Sequence, residues 1–150
     1  APGPPILSRM AAAPLERHLL RARDLIDARY YEPLDVPTLA RAAHVSPAHF
    51  SRAFRRAFGE PPHRYLLARR LERAAALLRG TDRPIAEICL AVGLRSFGSF
   101  TSSFARAYGL PPAAYRAAHP SPLHAVRVPI CLQLVWGRAG MEKTAGAAAG

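Results

Sequence analysis

The chain has 150 residues, half of them apolar, with 21 Lys+Arg against 10 Asp+Glu and a formal net charge of +11. That length suits one ordinary domain or two very small ones, and the apolar share is enough to bury a core. No apolar run approaches the roughly 20 residues that cross a bilayer, and no secretory h-region sits near the start. The two cysteines, Cys89 and Cys131, cannot build a disulfide framework, which suits a reducing, cytoplasmic setting.

The charge is unevenly placed. Residues 15–40 carry four Arg and five acids, a net of −1; residues 41–79 carry nine Arg and two acids, a net of +7; residues 81–119 carry four Arg and two acids, a net of +2. So lopsided a distribution points to a polyanion, nucleic acid above all.

Residues 1–13 are rich in Pro, Gly and Ala and are expected to be disordered. From about Pro14, Leu15, Leu19, Ala22, Ile26 and Tyr30 recur at helical spacing between charges, the pattern of an amphipathic helix with proline at its start. Asp35 caps a short helix carrying Leu39 and Ala40, and Ala42 to Ser46 break it. Ser46-Pro47 then opens a helix with Phe50, Phe54 and Phe58 at four-residue steps, stopped by Gly59. Pro61-Pro62 opens a longer helix with Tyr65, Leu67, Leu71, Ala74 and Leu78 on one side, ending at Gly80.

The pattern then repeats. Phe50, Phe54, Phe58, Gly59, Pro61, Pro62 and Tyr65 return 50 positions later as Phe100, Phe104, Tyr108, Gly109, Pro111, Pro112 and Tyr115. Leu39, Ala42 and Val45 return at an offset of 49 as Ile88, Ala91 and Leu94, so the second copy has one more residue in its turn. No stretch before residue 120 alternates at period two, so the fold is expected to be all-α. A short helix, a tight break and a capped second helix with a buried stripe is helix-turn-helix grammar. With the aromatic stripes inward, the first copy turns Ala48, Ser51, Arg52, Arg55 and Arg56 outward, and the second Gly98, Ser99, Ser102, Ala105 and Arg106. Small and basic side chains suit a helix lying in a major groove.

From Leu15 to Ala117 the chain resembles the C-terminal DNA-binding domain of AraC/XylS-type bacterial transcription regulators. The resemblance is carried by the run Leu39 to Gly59 and by Tyr65-Leu66, Arg70 to Ala74 and Leu77-Leu78. It continues in Ile85 to Ile88, Ala91 to Leu94, Ser99-Phe100, Phe104 and Gly109 to Arg116. It implies about seven helices: a first helix-turn-helix subdomain over residues 14–60, a linker helix over 61–80 and a second subdomain over 81–119. The two recognition helices would enter successive major grooves about 34 Å apart. By motif position, base contacts fall on Ala48, Ser51 and Arg52 and on Gly98, Ser99 and Ser102. Phosphate contacts are expected from Ser46, His49, Arg55, Arg56, Arg69, Arg70, Ser96 and Arg106, with the linker residues Arg69, Arg70 and Arg73 read equally well as solvated surface. Arg52 can pair bidentately with guanine, whereas its counterpart Ser102 cannot, and Gly93-Leu94 replaces the fuller Gly-Phe turn of the family. The first subdomain is therefore expected to dominate sequence reading.

The resemblance further implies promoter or operator DNA as partner, contact with RNA polymerase, and a bacterial, nucleoid-associated location. The family's effector-binding domain has no room in residues 1–33, leaving either a stand-alone protein that binds DNA as a monomer or the end of a longer one. Other readings are a less specific nucleoid-binding module and a protein adaptor using Trp136. The histidines lack metal-ligand spacing with the cysteines, so neither metal nor cofactor is expected. No Ser/His/Asp arrangement, paired carboxylates or phosphate loop marks an enzyme. Cys89 reads as a small buried apolar residue. The tail, residues 120–150, contains the apolar run Val126 to Trp136, read either as a segment docked on the domain or as a partner-binding stretch.

Overall fold

The computed structural model describes residues 6–121, with side chains from residue 14 onward. Among them are seven helices and no strand: α1 (Ile6–Arg29), α2 (Val36–Ala42), α3 (Pro47–Phe58), α4 (Pro62–Gly80), α5 (Ile85–Ala91), α6 (Phe97–Tyr108) and α7 (Pro112–Ala118). None of the described helices is long and apolar enough to cross a membrane. The helices lie in a unit ending at His119; the second unit, 120–150, falls outside the described residues except for 120 and 121, and Trp136 and Cys131 with it.

α1 starts earlier than its sequence suggests. Rather than opening at Pro14, it runs from Ile6 and carries Pro14 inside. Leu, Arg, Met and three Ala precede the proline, and their helix propensity carries the backbone through residues expected to be disordered. Downstream, Leu19, Ala22 and Ile26 are buried as their spacing requires.

Two apolar cores hold the fold. In the first, Leu19, Ala22 and Ile26 of α1 and Leu39 and Ala40 of α2 pack with Phe50, Ala53 and Phe54 of α3 and Leu66 of α4. In the second, Leu71, Ala74, Ala75 and Leu78 of α4 meet Ile88 and Cys89 of α5, Phe100 and Phe104 of α6 and Tyr115 of α7. α4 serves both. Its first turns give Leu66 to one core, and its later turns give a different stripe to the other, so the single apolar side read from the sequence covers Leu71, Ala74 and Leu78 but leaves out Leu66.

The internal repeat reappears as matched geometry. Ring centroids of Phe50 and Phe54 lie 5.7 Å apart and those of Phe100 and Phe104 5.8 Å; Phe54 to Phe58 is 4.5 Å and Phe104 to Tyr108 4.6 Å. Tyr65 meets Phe54 edge-on at 5.7 Å, as Tyr115 meets Phe104 at 5.2 Å. The turns match too. Val45 N–H donates to the Ala40 carbonyl at 3.1 Å, and Leu94 N–H to the Cys89 carbonyl at 3.0 Å. Four residues separate α2 from α3 and five separate α5 from α6, the single extra residue read from the sequence. Cys89 is buried, its thiol facing the Leu94 carbonyl at 3.4 Å, and burial pushes the thiol above its ordinary pKa.

Caps close each unit. Asp35 accepts from Thr38 N–H at 2.8 Å, and hydrogen bonding from the Thr38 side chain and backbone holds its carboxyl below the ordinary value. That cap is at full strength above the usual carboxylate range and is lost as pH falls through the lowered folded value. Gly59 and Gly109 end α3 and α6 in the left-handed region, at φ 83° and 75°. In the turns, His44 (φ 58°) and Gly93 (φ 85°) occupy equivalent left-handed positions. Gly93 has a second reason to be glycine: a Cβ there would lie 2.7 Å from the Tyr31 carbonyl oxygen, in the loop leaving α1. Gly59→Ala, which has open space, is expected to cost about 1 kcal/mol through backbone strain alone. Gly93→Ala is expected to cost clearly more, because main-chain atoms must move as well. Urea midpoints of the two variants check this, and equal costs would refute the close approach.

Candidate nucleic-acid interface

The direction each second helix faces follows from its buried rings. Phe50 and Phe54 are buried to 0% exposure, so Ala48, Arg52, Arg55 and Arg56 stand exposed across α3, with Ser51 half-buried between them. Phe100 and Phe104 do the same for α6, leaving Gly98, Ser99, Ser102 and Arg106 exposed. Each helix starts on a serine cap: Ser46 Oγ accepts from His49 N–H at 3.2 Å, and Ser96 Oγ from Ser99 N–H at 3.3 Å. Both hydroxyl oxygens thus act as caps, and Ser96 also donates to Ser99 Oγ at 3.1 Å. His49 is half-buried beside its cap.

The two outward faces differ in chemistry. Among the described residues, no carboxylate forms an ion pair with Arg52, Arg55 or Arg56, so three guanidinium groups project from α3 with their donors open to a ligand. α6 offers hydroxyls, a bare glycine and a single cation, Arg106 in its last turn.

Arg69 and Arg70, expected among the phosphate contacts, have other partners. Arg69 Nε donates to Asp27 Oδ1 at 2.8 Å, and its terminal nitrogens donate to Glu72 Oε2 at 2.7 Å and Tyr65 Oη at 2.9 Å. Tyr65 Oη in turn donates to Asp27 at 3.0 Å, so α1 and α4 are tied through one polar cluster. Hydrogen bonds to Tyr65 and Glu72 raise the Arg69 pKa further above its already high value, while burial raises that of Tyr65. Arg70 Nε donates to the Tyr30 carbonyl at 2.7 Å and a terminal nitrogen to the Glu32 carbonyl at 2.8 Å. Arg73 lies over the Tyr30 ring at 5.5 Å. A count of charges cannot tell such committed guanidinium groups from open ones.

One residue of this surface escaped the sequence reading. Phe97, the first residue of α6, is 51% exposed. It sits three positions before Phe100, a spacing equally compatible with the buried stripe, and its counterpart 50 residues earlier is Pro47.

Two helix-turn-helix units, each with its own core and joined by a shared helix, define a double helix-turn-helix DNA-binding domain. Residues 39–118 match the helix-turn-helix domain family. The chain is 34% identical over 101 residues to the transcriptional regulator Rob of Salmonella typhimurium, covering 67% of this chain and 35% of Rob. A crystal structure of a transcriptional regulator from Chromobacterium violaceum, described as containing an AraC-type DNA-binding domain, is 33% identical with a TM-score of 0.64, covering 71% of this chain and 96% of that one. The DNA-binding domain of AdpA, solved in complex with a target DNA, is 35% identical with a TM-score of 0.60, covering 70% and 91%. The chain belongs to the AraC/XylS family of transcription regulators, and the described unit is that family's sequence-specific DNA-binding domain. It spans about two fifths or less of the length of the curated relatives it matches.

Salt dependence separates the two kinds of arginine. Arg56→Ala is expected to reduce the slope of log affinity against log salt by about 1, the signature of a lost phosphate contact. Arg70→Met is expected to leave that slope unchanged and to lower folding stability by about 2 kcal/mol, since two loop carbonyls lose a charged donor. Binding isotherms at several salt concentrations, with urea melts of the same variants, check both.

Proposed function

We propose that this chain is the DNA-reading part of a bacterial transcription regulator, with α3 and α6 entering successive major grooves and α3 doing most of the sequence reading. The carrying observation is the contrast between the outward faces: three guanidinium groups on α3 with no ion pair among the described residues, against small neutral side chains and the single cation Arg106 on α6. Phosphate neutralisation supplies affinity, through Arg55, Arg56 and Arg106 with the amide groups opening each helix, and Arg52 reads a guanine edge. Ala48 and Ser51 complete the first reading face; Gly98, Ser99 and Ser102 form the second, which follows groove shape more than base identity. Because one chain supplies two groove contacts, it binds DNA as a monomer unless a further domain of a longer protein pairs it with a second copy. Its site of action is promoter DNA on the cytoplasmic nucleoid, where it meets RNA polymerase. No covalent step is involved; the work is binding.

Selection of bound sequences from a random duplex pool supplies the operator, and variants then test the division of labour. Arg52→Ala is expected to lower discrimination at one G·C position by about tenfold or more, the worth of a bidentate arginine–guanine pair. Ser102→Ala is expected to change preference little. Equal losses from the two would refute the asymmetry, and a chain that binds selected and scrambled duplexes alike would refute sequence reading altogether.

A further inference from the structure

The amino end of α6 carries an aromatic ring whose exposure neither of the two cores explains. The rings of Phe50, Phe54, Phe100 and Phe104 are buried and those of Phe58 and Tyr108 half-buried, whereas Phe97 stands 51% exposed. It is held in place from behind: its ring centroid lies 6.4 Å from that of Phe100, and its carbonyl accepts from Thr101 Oγ1 at 2.9 Å. Side chains of a helix lean towards its amino end, so a ring at the first position projects past the tip of α6, the end that leads into a groove. The residues that follow it in the first turn are Gly98, where even an added Cβ would touch nothing within 4 Å, and exposed Ser99. Phe97 is thus the bulkiest group at this end and has no charged neighbour within the first turn.

In the major groove, base edges present hydrogen-bonding atoms and one apolar group, the C5-methyl of thymine. A phenyl ring meeting polar base edges would desolvate them without return, but against a methyl it removes apolar surface from water on both sides. Resting on the DNA-reading assignment above, we propose that Phe97 is a specificity-determining residue of the second subdomain, packing on the C5-methyl of a thymine and giving the α6 half-site a preference for A·T pairs that its serines cannot supply.

The test uses the 150-residue chain and a duplex recovered by selection, with each thymine replaced in turn by deoxyuridine, which removes only the methyl. At one thymine or more, the replacement is expected to weaken binding by about 4-fold, the worth of one buried methyl-sized group. In Phe97→Ala that sensitivity should vanish at the same position, while discrimination at the Arg52-governed position persists. Methyl-insensitive binding at every thymine, or sensitivity that survives in Phe97→Ala, overturns the proposal. A chain that retains its preference for the selected duplex but ignores the methyls refutes the role of Phe97 alone; one with no preference for that duplex refutes the DNA-reading assignment with it.

Discussion

The burial of two phenylalanines per repeat decides which way each reading helix faces. Phe50 and Phe54, like Phe100 and Phe104, are sequestered in separate cores, and Phe54 and Phe104 each meet a tyrosine edge-on from the following helix. Truncating one of these rings costs about 3–5 kcal/mol, a large part of the stability of a domain this size. Rotation of α3 about its axis would expose them, so the outward position of Arg52, Arg55 and Arg56 is a by-product of core packing and needs no dedicated support of its own.

Relative placement of the two subdomains depends on a different set of contacts, gathered on the short loop between α1 and α2. Arg70 grips the Tyr30 and Glu32 carbonyls from α4, and Arg73 covers the Tyr30 ring. Gly93, in the turn of the second subdomain, comes close enough to the Tyr31 carbonyl that no side chain would fit. The loop from the first subdomain is thus held by the shared helix on one side and by the second turn on the other. For a protein that must meet two grooves at once, this joint sets the spacing and angle of the two heads, and its stiffness lowers the entropy lost on binding.

Much of this was legible in the sequence because each repeat announces itself locally. The serine-proline start, glycine stops, four-residue aromatic steps and a one-residue difference in turn length are all short-range signals, and the structure places Ser46, Gly59 and Gly109 as caps. The outward faces of α3 and α6 followed from the inward ones. What was not legible depends on contacts between distant segments. The engagement of Arg69 with Asp27 and of Arg70 with loop carbonyls spans some forty positions of chain. Leu66 was missed because α4 changes its buried face between cores, and Phe97 because its spacing of three from Phe100 is that of the buried stripe, while its place at the helix end leaves it exposed. At the start of α1, proline suggested a beginning, but strong helix formers before it carry the helix further back.

Separate cores also bear on how such a domain can change over generations. Residues on the outer side of α6 contribute little to either apolar cluster, so substitutions there alter what is recognised without threatening the fold, and nothing in the first cluster registers them. Basic groups are scarce on α6 and abundant on α3 although the buried rings of the two halves match, so the outward faces differ independently of the cores. One head can hold an ancestral target while its twin is free to acquire another.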